Sequence, residues 1–198
     1  QDSTRSIEAM AETDNRIRII RREQNGGVGA AVMTGYRQAI EDGIEVVVKV
    51  DGDGQMDPAL IPLFVKEIAE GRADYTKGNR FHSLDMARSM PMVRKIGNMG
   101  LSFMSKLSTG YWQLFDPTNG YTAIHTNVLR ALRLERIEER YFFESDLLYH
   151  LGLVRARVLE VPMQAVYGDE ESNLSNLAAL RSFPVKHGRN FFKRIAND

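Results

Sequence analysis

The stretch Ile44-Glu45-Val46-Val47-Val48-Lys49-Val50-Asp51-Gly52-Asp53-Gly54-Gln55-Met56-Asp57-Pro58 decides the fold. Ile44 to Val50 is β-branched and largely apolar, as expected of a central parallel strand covered on both faces, and it runs straight into an acidic, glycine-rich loop. Asp57-Pro58 then opens a helix, with Pro58 near its first turn and Leu60, Ile61, Phe64, Val65 and Ile68 on one face as far as Gly71. Strand, loop and helix in that order put the loop beyond the carboxyl end of the strand, the place where open α/β sheets bind ligands.

Upstream, Asp2 or Ser3 caps a helix through about Ala11, and Ile17 to Ile20 alternates like a strand with a basic exit at Arg21 and Arg22. Asn25-Gly26-Gly27 reads as a turn, after which Val28, Ala31, Val32, Gly35 and Ala39 recur at helical spacing up to Asp42-Gly43. Downstream, Asp74 to Lys77 reads as a strand, Val93 to Leu107 as an amphipathic helix suited to a surface lid or a membrane face, and Tyr121 to Ile124 as a strand. Asn127 to Leu134 and Glu144 to Leu151 read as helices, and Arg155 to Val166 as a strand or hairpin arm. The β-α-β alternation predicts an α/β domain with a doubly wound, mostly parallel sheet flanked by helices.

Composition narrows the partners. Twenty-six basic residues balance twenty-six acidic ones, so no whole-molecule field gathers nucleic acid, and an anionic ligand must be captured by local clusters. The absence of cysteine excludes a disulfide framework, a thiolate nucleophile and a cysteine-ligated zinc site, and it fits a reducing cytoplasmic setting. The apolar runs are far shorter than the roughly 20 residues of a membrane-spanning helix. The chain opens Gln1-Asp2-Ser3-Thr4, with neither an initiator methionine nor a secretory pattern, which reads as a missing N-terminus. The 198 residues suit one mid-sized domain.

Asp51 and Asp53 lie at i and i+2 with the amide oxygen of Gln55 at i+4, a set of hard donors suited to Mg2+ or Mn2+, which commonly take one or two protein groups plus substrate phosphates. An isolated acid-x-acid turn is more often just a turn; the position after a strand and before a helix favours the site. A calcium loop of the helix-loop-helix type fails, because its sixth position is Met56 rather than Gly and its twelfth is Pro62 rather than Glu. A dinucleotide fingerprint beginning at Gly27 fails because its third glycine position is Val32. The glycine-rich helix start at Gly27 and Gly29 can still offer N–H groups to a diphosphate, with close packing as the equal alternative for Gly29. His82, His125, His150 and His187 form no local ligand pattern.

Taken together, Asn25 to Ala31 with Gly35 and Ala39, then Val50 to Pro58, then Gly78-Asn79-Arg80-Phe81, resemble the family 2 glycosyltransferases of the GT-A fold, above all the dolichyl- and polyprenyl-phosphate sugar synthases. The likeness runs over roughly residues 15 to 175. It implies a GT-A sheet whose N-terminal strand, with its nucleotide-base loop, is missing here. It implies that Asp53 and Gln55 hold the divalent ion, that Asp51 lies beside the donor, and that Arg80 and Arg94 grip acceptor phosphate. Asp116-Pro117-Thr118-Asn119-Gly120-Tyr121 resembles the family's acceptor-side segment, with Asn119 where a Ser is usual and Thr122 where an Arg is usual. Asp116 is the candidate base should the acceptor be a hydroxyl; otherwise it caps a turn. Asn173 stands where relatives carry a Lys in the loop that closes over the donor. For Glu144 and Asp146, at a helix start, a structural role is the better reading.

The function expected is metal-dependent transfer of a hexose, with inversion, from a UDP- or GDP-sugar to a polyprenyl phosphate, at the cytoplasmic face of a membrane. Residues 1 to 198 would form one catalytic domain, with 176 to 198 either a membrane-proximal tail or a solvated terminal helix. Two other classes stay open: a noncatalytic nucleotide-sugar or lipid-phosphate binding module, and a sugar nucleotidyltransferase.

Overall fold

The computed structural model describes residues 3–80, 92–163 and 176–197, with the side chains of 3–4, 92–99, 176–181 and 197 excepted. Helix α1 (Ser3–Thr13) and helix α2 (Val28–Glu41) precede strand β1 (Val46–Lys49). A 3-10 turn (Pro58–Leu60) runs into α3 (Ile61–Ala69), and the Asp57 carboxylate caps that turn by accepting from the Ala59 N–H at 2.9 Å. There follow β2 (Tyr75–Asn79), α4 (Met92–Thr109), β3 (Thr122–His125), α5 (Thr126–Ala131), a 3-10 turn (Leu134–Arg136), α6 (Phe143–Leu153), β4 (Val158–Pro162) and α7 (Asn176–Asn197).

The sheet order is β1-β3-β2-β4. Strands β1, β2 and β4 run one way, and β3 lies reversed between β1 and β2, so two pairings are antiparallel and one is parallel. Two expectations need correcting. The strand at Val46–Lys49 is an edge of the described sheet and only partly buried, because β3, arriving some 70 residues later, takes the place beside it. Ile17 to Ile20 forms no strand: no described strand lies alongside, Ile20 is exposed, and the arginines within and after it turn to other segments, Arg18 to Asp42 at the end of α2, Arg21 to Glu8 of α1 and Arg22 to the Ala30 carbonyl of α2. A strand without a partner ladder leaves its backbone groups to water.

Directly opposed residues share a face of a sheet, so the register sorts the core. Val47, Ile124, Tyr75 and Val158 form one row, packed with Met33 and Tyr36 of α2, Leu129 of α5, and Phe143, Leu147 and Leu151 of α6. On the opposite face Val48 and Ala123 meet Phe64 and Ile68 of α3, and Phe64 stacks on Tyr121 with ring centroids 4.3 Å apart. Helices therefore cover both faces, as the alternating pattern predicts.

Helix α7 packs on α4 and α6. The seam is polar: the Asn190 amide donates to Asp146 at 2.7 Å, Asp146 also accepts the Glu138 N–H at 2.9 Å, and Ser108 Oγ lies 2.8 Å from His187 Nδ1. Burial pulls the His187 imidazole down to about 4, so it is neutral at pH 7.

Candidate functional site

The carboxyl ends of β1, β2 and β4 and the start of β3 meet at one edge of the sheet. There, two residues beyond the apolar row on the same face, the register sets Lys49, Thr122, Lys77 and Glu160 side by side. The alternation that buries Val47 and Tyr75 carries on into three ionisable side chains. This charged row is the floor of the candidate site, and the acidic loop and the residue 116–121 turn rise from it.

Lys77 is fully buried on β2 and donates its ammonium to the Asn119 carbonyl. Burial lowers its pKa to about 8, against the opposing pull of Glu144 and Asp116. Lys49 Nζ lies 2.7 and 2.9 Å from the two oxygens of Asp51, 3.0 Å from the Gly120 carbonyl and 3.9 Å from Glu144 Oε1. Gly120 sits where those groups converge: a Cβ on it would fall 2.7 Å from Lys49 Nζ, 2.9 Å from Asp51 Oδ2 and 3.0 Å from Glu144 Oε1. A side chain there would have to push these three charged groups apart. Burial pushes the Glu144 carboxyl up, with Lys77 and Lys49 opposing. Thr122, where the family resemblance expects an arginine, stands directly between Lys49 and Lys77 of the two neighbouring strands.

The acidic loop leaves β1 at this edge. The Asp51 N–H lies 3.2 Å from the sulfur of Met56, which packs into the apolar cluster below, and Tyr121 donates its hydroxyl to the Asp57 carbonyl at 2.9 Å. These contacts moor both ends of the loop. Between them Asp53 is exposed, its Oδ1 accepting only the local Gln55 N–H at 3.0 Å, and Gln55 is half-buried.

The turn before β3 is built differently. Asp116 is completely buried, and its oxygens accept from Arg80 Nε at 2.7 Å, Arg80 Nη2 at 2.9 Å and the Arg80 backbone N–H at 3.2 Å. Such a bidentate fork fixes the guanidinium in one plane. Glu160 holds the turn from below: its Oε1 accepts the N–H groups of Phe115 at 2.6 Å and Asp116 at 2.8 Å, and its Oε2 accepts from the Asn79 amide at 2.6 Å. Burial raises the Glu160 carboxyl, and those backbone donors oppose it.

Of the residues singled out by sequence, Asp51, Asp53, Gln55, Arg80 and Asp116 therefore lie at one edge of the sheet. At Gly27 and Gly29 the structure shows close packing. A Cβ on Gly27 would lie 2.9 Å from the Glu139 carbonyl oxygen and one on Gly29 2.5 Å from that of Glu138, and the Ala30 N–H is already bonded to Glu139. The start of α2 is covered by the chain itself, which is why the two positions either side of Val28 are glycine. Arg94 lies on α4, but its side chain, like Phe81 and the residue 167–174 loop, falls outside the described residues. Sequence reasoning misses Lys49, Lys77 and Glu160 at this edge, and it gives Glu144 a structural role. The signal open to sequence was the alternation itself, since Lys49 and Lys77 keep the inward phase of Val47 and Tyr75.

Comparison with known proteins agrees. Residues 1–133 match glycosyl transferase family 2. The chain is 33% identical over 148 residues to a UDP-N-acetylglucosamine–dolichyl-phosphate N-acetylglucosaminyltransferase of Methanococcus voltae, covering 75% of this chain and 59% of that enzyme. It is 29% identical over 157 residues to an undecaprenyl-phosphate mannosyltransferase of Micrococcus luteus, covering 79% and 63%. The chain thus spans about three-fifths of the length of the curated relatives it matches. In three dimensions it resembles glucosyl-3-phosphoglycerate synthase of Mycobacterium tuberculosis, solved with Mn2+, uridine diphosphate and glucosyl-3-phosphoglycerate, with a TM-score of 0.58 at 16% identity over 89% of this chain and 56% of that one. That likeness bears on the fold, and the fold is GT-A. Sheet, loop order and sequence converge on one conclusion: the chain belongs to glycosyl transferase family 2.

Proposed function

We propose that this chain is the catalytic domain of a metal-dependent, inverting glycosyltransferase that moves a hexose from a UDP- or GDP-sugar to a polyprenyl phosphate. The observation that carries the reading is the exposed Asp53–Gln55 loop, moored at the carboxyl edge of the sheet beside a buried cationic row.

The donor set suits the ion. Asp53 and Gln55 offer two hard oxygens, and no group of three His, Cys, Asp or Glu side chains that could hold a metal occurs among the described residues. That is the provision expected for Mg2+ or Mn2+, which keeps places for phosphate oxygens and water. When bound, the ion neutralises charge on the departing nucleoside diphosphate. The chain's own residues do the rest. Asp51, held by Lys49, faces the sugar; Asp116 acts as the anchor of Arg80 rather than as a base, since both its oxygens are committed to that guanidinium. Arg80, with Arg94, receives the acceptor phosphate, an anion already able to attack without a general base.

A lipid acceptor also accounts for the exposed aromatic side chains beside the Asp116 turn: Phe103 is 55%, Trp112 54% and Phe115 60% exposed. Phe192 and Ile195 of α7 are exposed among Arg189, Lys193 and Arg194, a composition suited to the cytoplasmic surface of an anionic membrane. No helix among the described residues is long and apolar enough to cross a membrane. We read residues 1–198 as one catalytic domain whose last helix lies next to the lipid.

The test is a donor screen by thermal shift on the full-length protein. One UDP- or GDP-sugar raises the melting point with Mn2+ and not without it, and Asp53→Ala abolishes the shift. A metal-independent shift, or one kept by the variant, refutes the reading.

A further inference from the structure

We propose that Lys49 is a positioning residue that divides the acidic loop, withholding Asp51 from the divalent ion so that the ion falls to Asp53 and Gln55. The inference rests on the metal reading given above, and it names what sorts two carboxylates only two residues apart.

The argument begins with burial. The Lys49 side chain is 8% exposed, and a buried ammonium persists only where its hydrogens are matched by acceptors. An ammonium has three hydrogens. The structure supplies three acceptors, Asp51 Oδ1 at 2.7 Å, Asp51 Oδ2 at 2.9 Å and the Gly120 carbonyl at 3.0 Å, with Glu144 behind at 3.9 Å and the Phe143 ring 5.7 Å away. Both oxygens of Asp51 are thus engaged by one cation. A carboxylate so neutralised attracts a dication weakly, and a second cation beside it would meet repulsion from Lys49. Asp53 differs on each count: it is exposed, and its recorded partner is the N–H of Gln55 in the same loop.

The Gly120 contact gives Lys49 a second consequence. Gly120 belongs to the turn that carries Asp116, so one ammonium ties the donor-side loop to the acceptor-side turn. A movement of Asp51 toward an ion would break that tie.

The experiment measures Mn2+ alone, by electron paramagnetic resonance of the free ion, on the whole chain without nucleotide. Lys49→Met is expected to bind Mn2+ about tenfold more tightly than the parent, the size of one released carboxylate interaction, and Lys49→Met/Asp51→Asn is expected to lose that gain. Asp53→Asn is expected to weaken binding in either background. A folded Lys49→Met with unchanged Mn2+ affinity overturns the proposal, as does a gain that survives in the double variant. If Lys49→Met does not fold, Asp51→Asn alone decides: affinity within about threefold of the parent supports the division, and a loss as large as that of Asp53→Asn overturns it. Loss in Asp53→Asn with no response to Lys49 defeats this inference and leaves the metal reading standing. No Mn2+ binding by any variant, or binding indifferent to Asp53, defeats both.

Discussion

The acidic loop at residues 51–57 and the turn at residues 116–121 approach the same sheet edge, yet they are built on opposite plans. The loop is moored at its ends and open in its middle, where the Asp53 carboxylate faces solvent. The turn is closed: Asp116 is buried against Arg80, Glu160 holds its backbone, and Lys77 caps the Asn119 carbonyl. An open carboxylate costs the fold little and awaits a ligand, whereas a buried, fully paired one orients a neighbour. The same residue type, Asp, thus stands open to solvent on one side and is built into the architecture on the other.

The comparison breaks most readily at Asp53. Asp53→Ala is expected to lower sugar transfer about a thousandfold, roughly 4 kcal/mol of transition-state stabilisation, while the urea midpoint of unfolding stays within about 0.5 kcal/mol of the parent. A large stability loss would mean that the loop is part of the scaffold. Asp116→Ala is expected to do the reverse, costing about 2–3 kcal/mol of stability in urea, less than a fully buried pair because Arg80 is 34% exposed and can turn to water. An unfolding midpoint unchanged by this variant would erase the contrast.

A finer probe is Glu160→Gln. The new carbonyl can still accept from Phe115 and Asp116, but the amide meets the Asn79 amide donor to donor, so about 1 kcal/mol is lost and Asn79→Asp in the same chain recovers part of it. Additive losses in the double variant would deny the clamp. The smallest effect is a pH slope. Because burial puts the Lys77 pKa at about 8, below its usual value, the unfolded chain binds the extra proton. Stability therefore rises with pH above about 8, by at most ~1.4 kcal/mol per pH unit, and is lost as pH falls through that value. Lys77→Met should flatten the slope of urea midpoints below pH ~9.5, before the buried tyrosines, whose pKa values are raised, begin to oppose it. A slope unchanged in the variant would assign it to other groups.

The open side was the legible one. Asp51, Asp53 and Gln55 sit in a contiguous loop between a β-branched run and a proline-started helix, and local order alone placed them at a strand end. The closed side depends on register between strands far apart in sequence. Lys49 and Lys77 read as ordinary strand lysines until both are seen to oppose Thr122, and Glu160 gains its task only when β4 aligns with β2. Ile17 to Ile20 shows the converse, a strand-like alternation with no described partner to complete it. Gly27 and Gly29 show a third limit, since their crowding comes from residues 138–143, more than a hundred positions away.

The most direct test of metal-dependent sugar transfer is a single product measurement on the full-length protein, with labelled UDP- and GDP-sugars, polyprenyl phosphate as acceptor, and Mn2+ or excess chelator. Labelled lipid forming from one donor with Mn2+, and vanishing with chelator or in Asp53→Ala, is the predicted result; lipid labelled equally well under chelation, or by the variant, would contradict it.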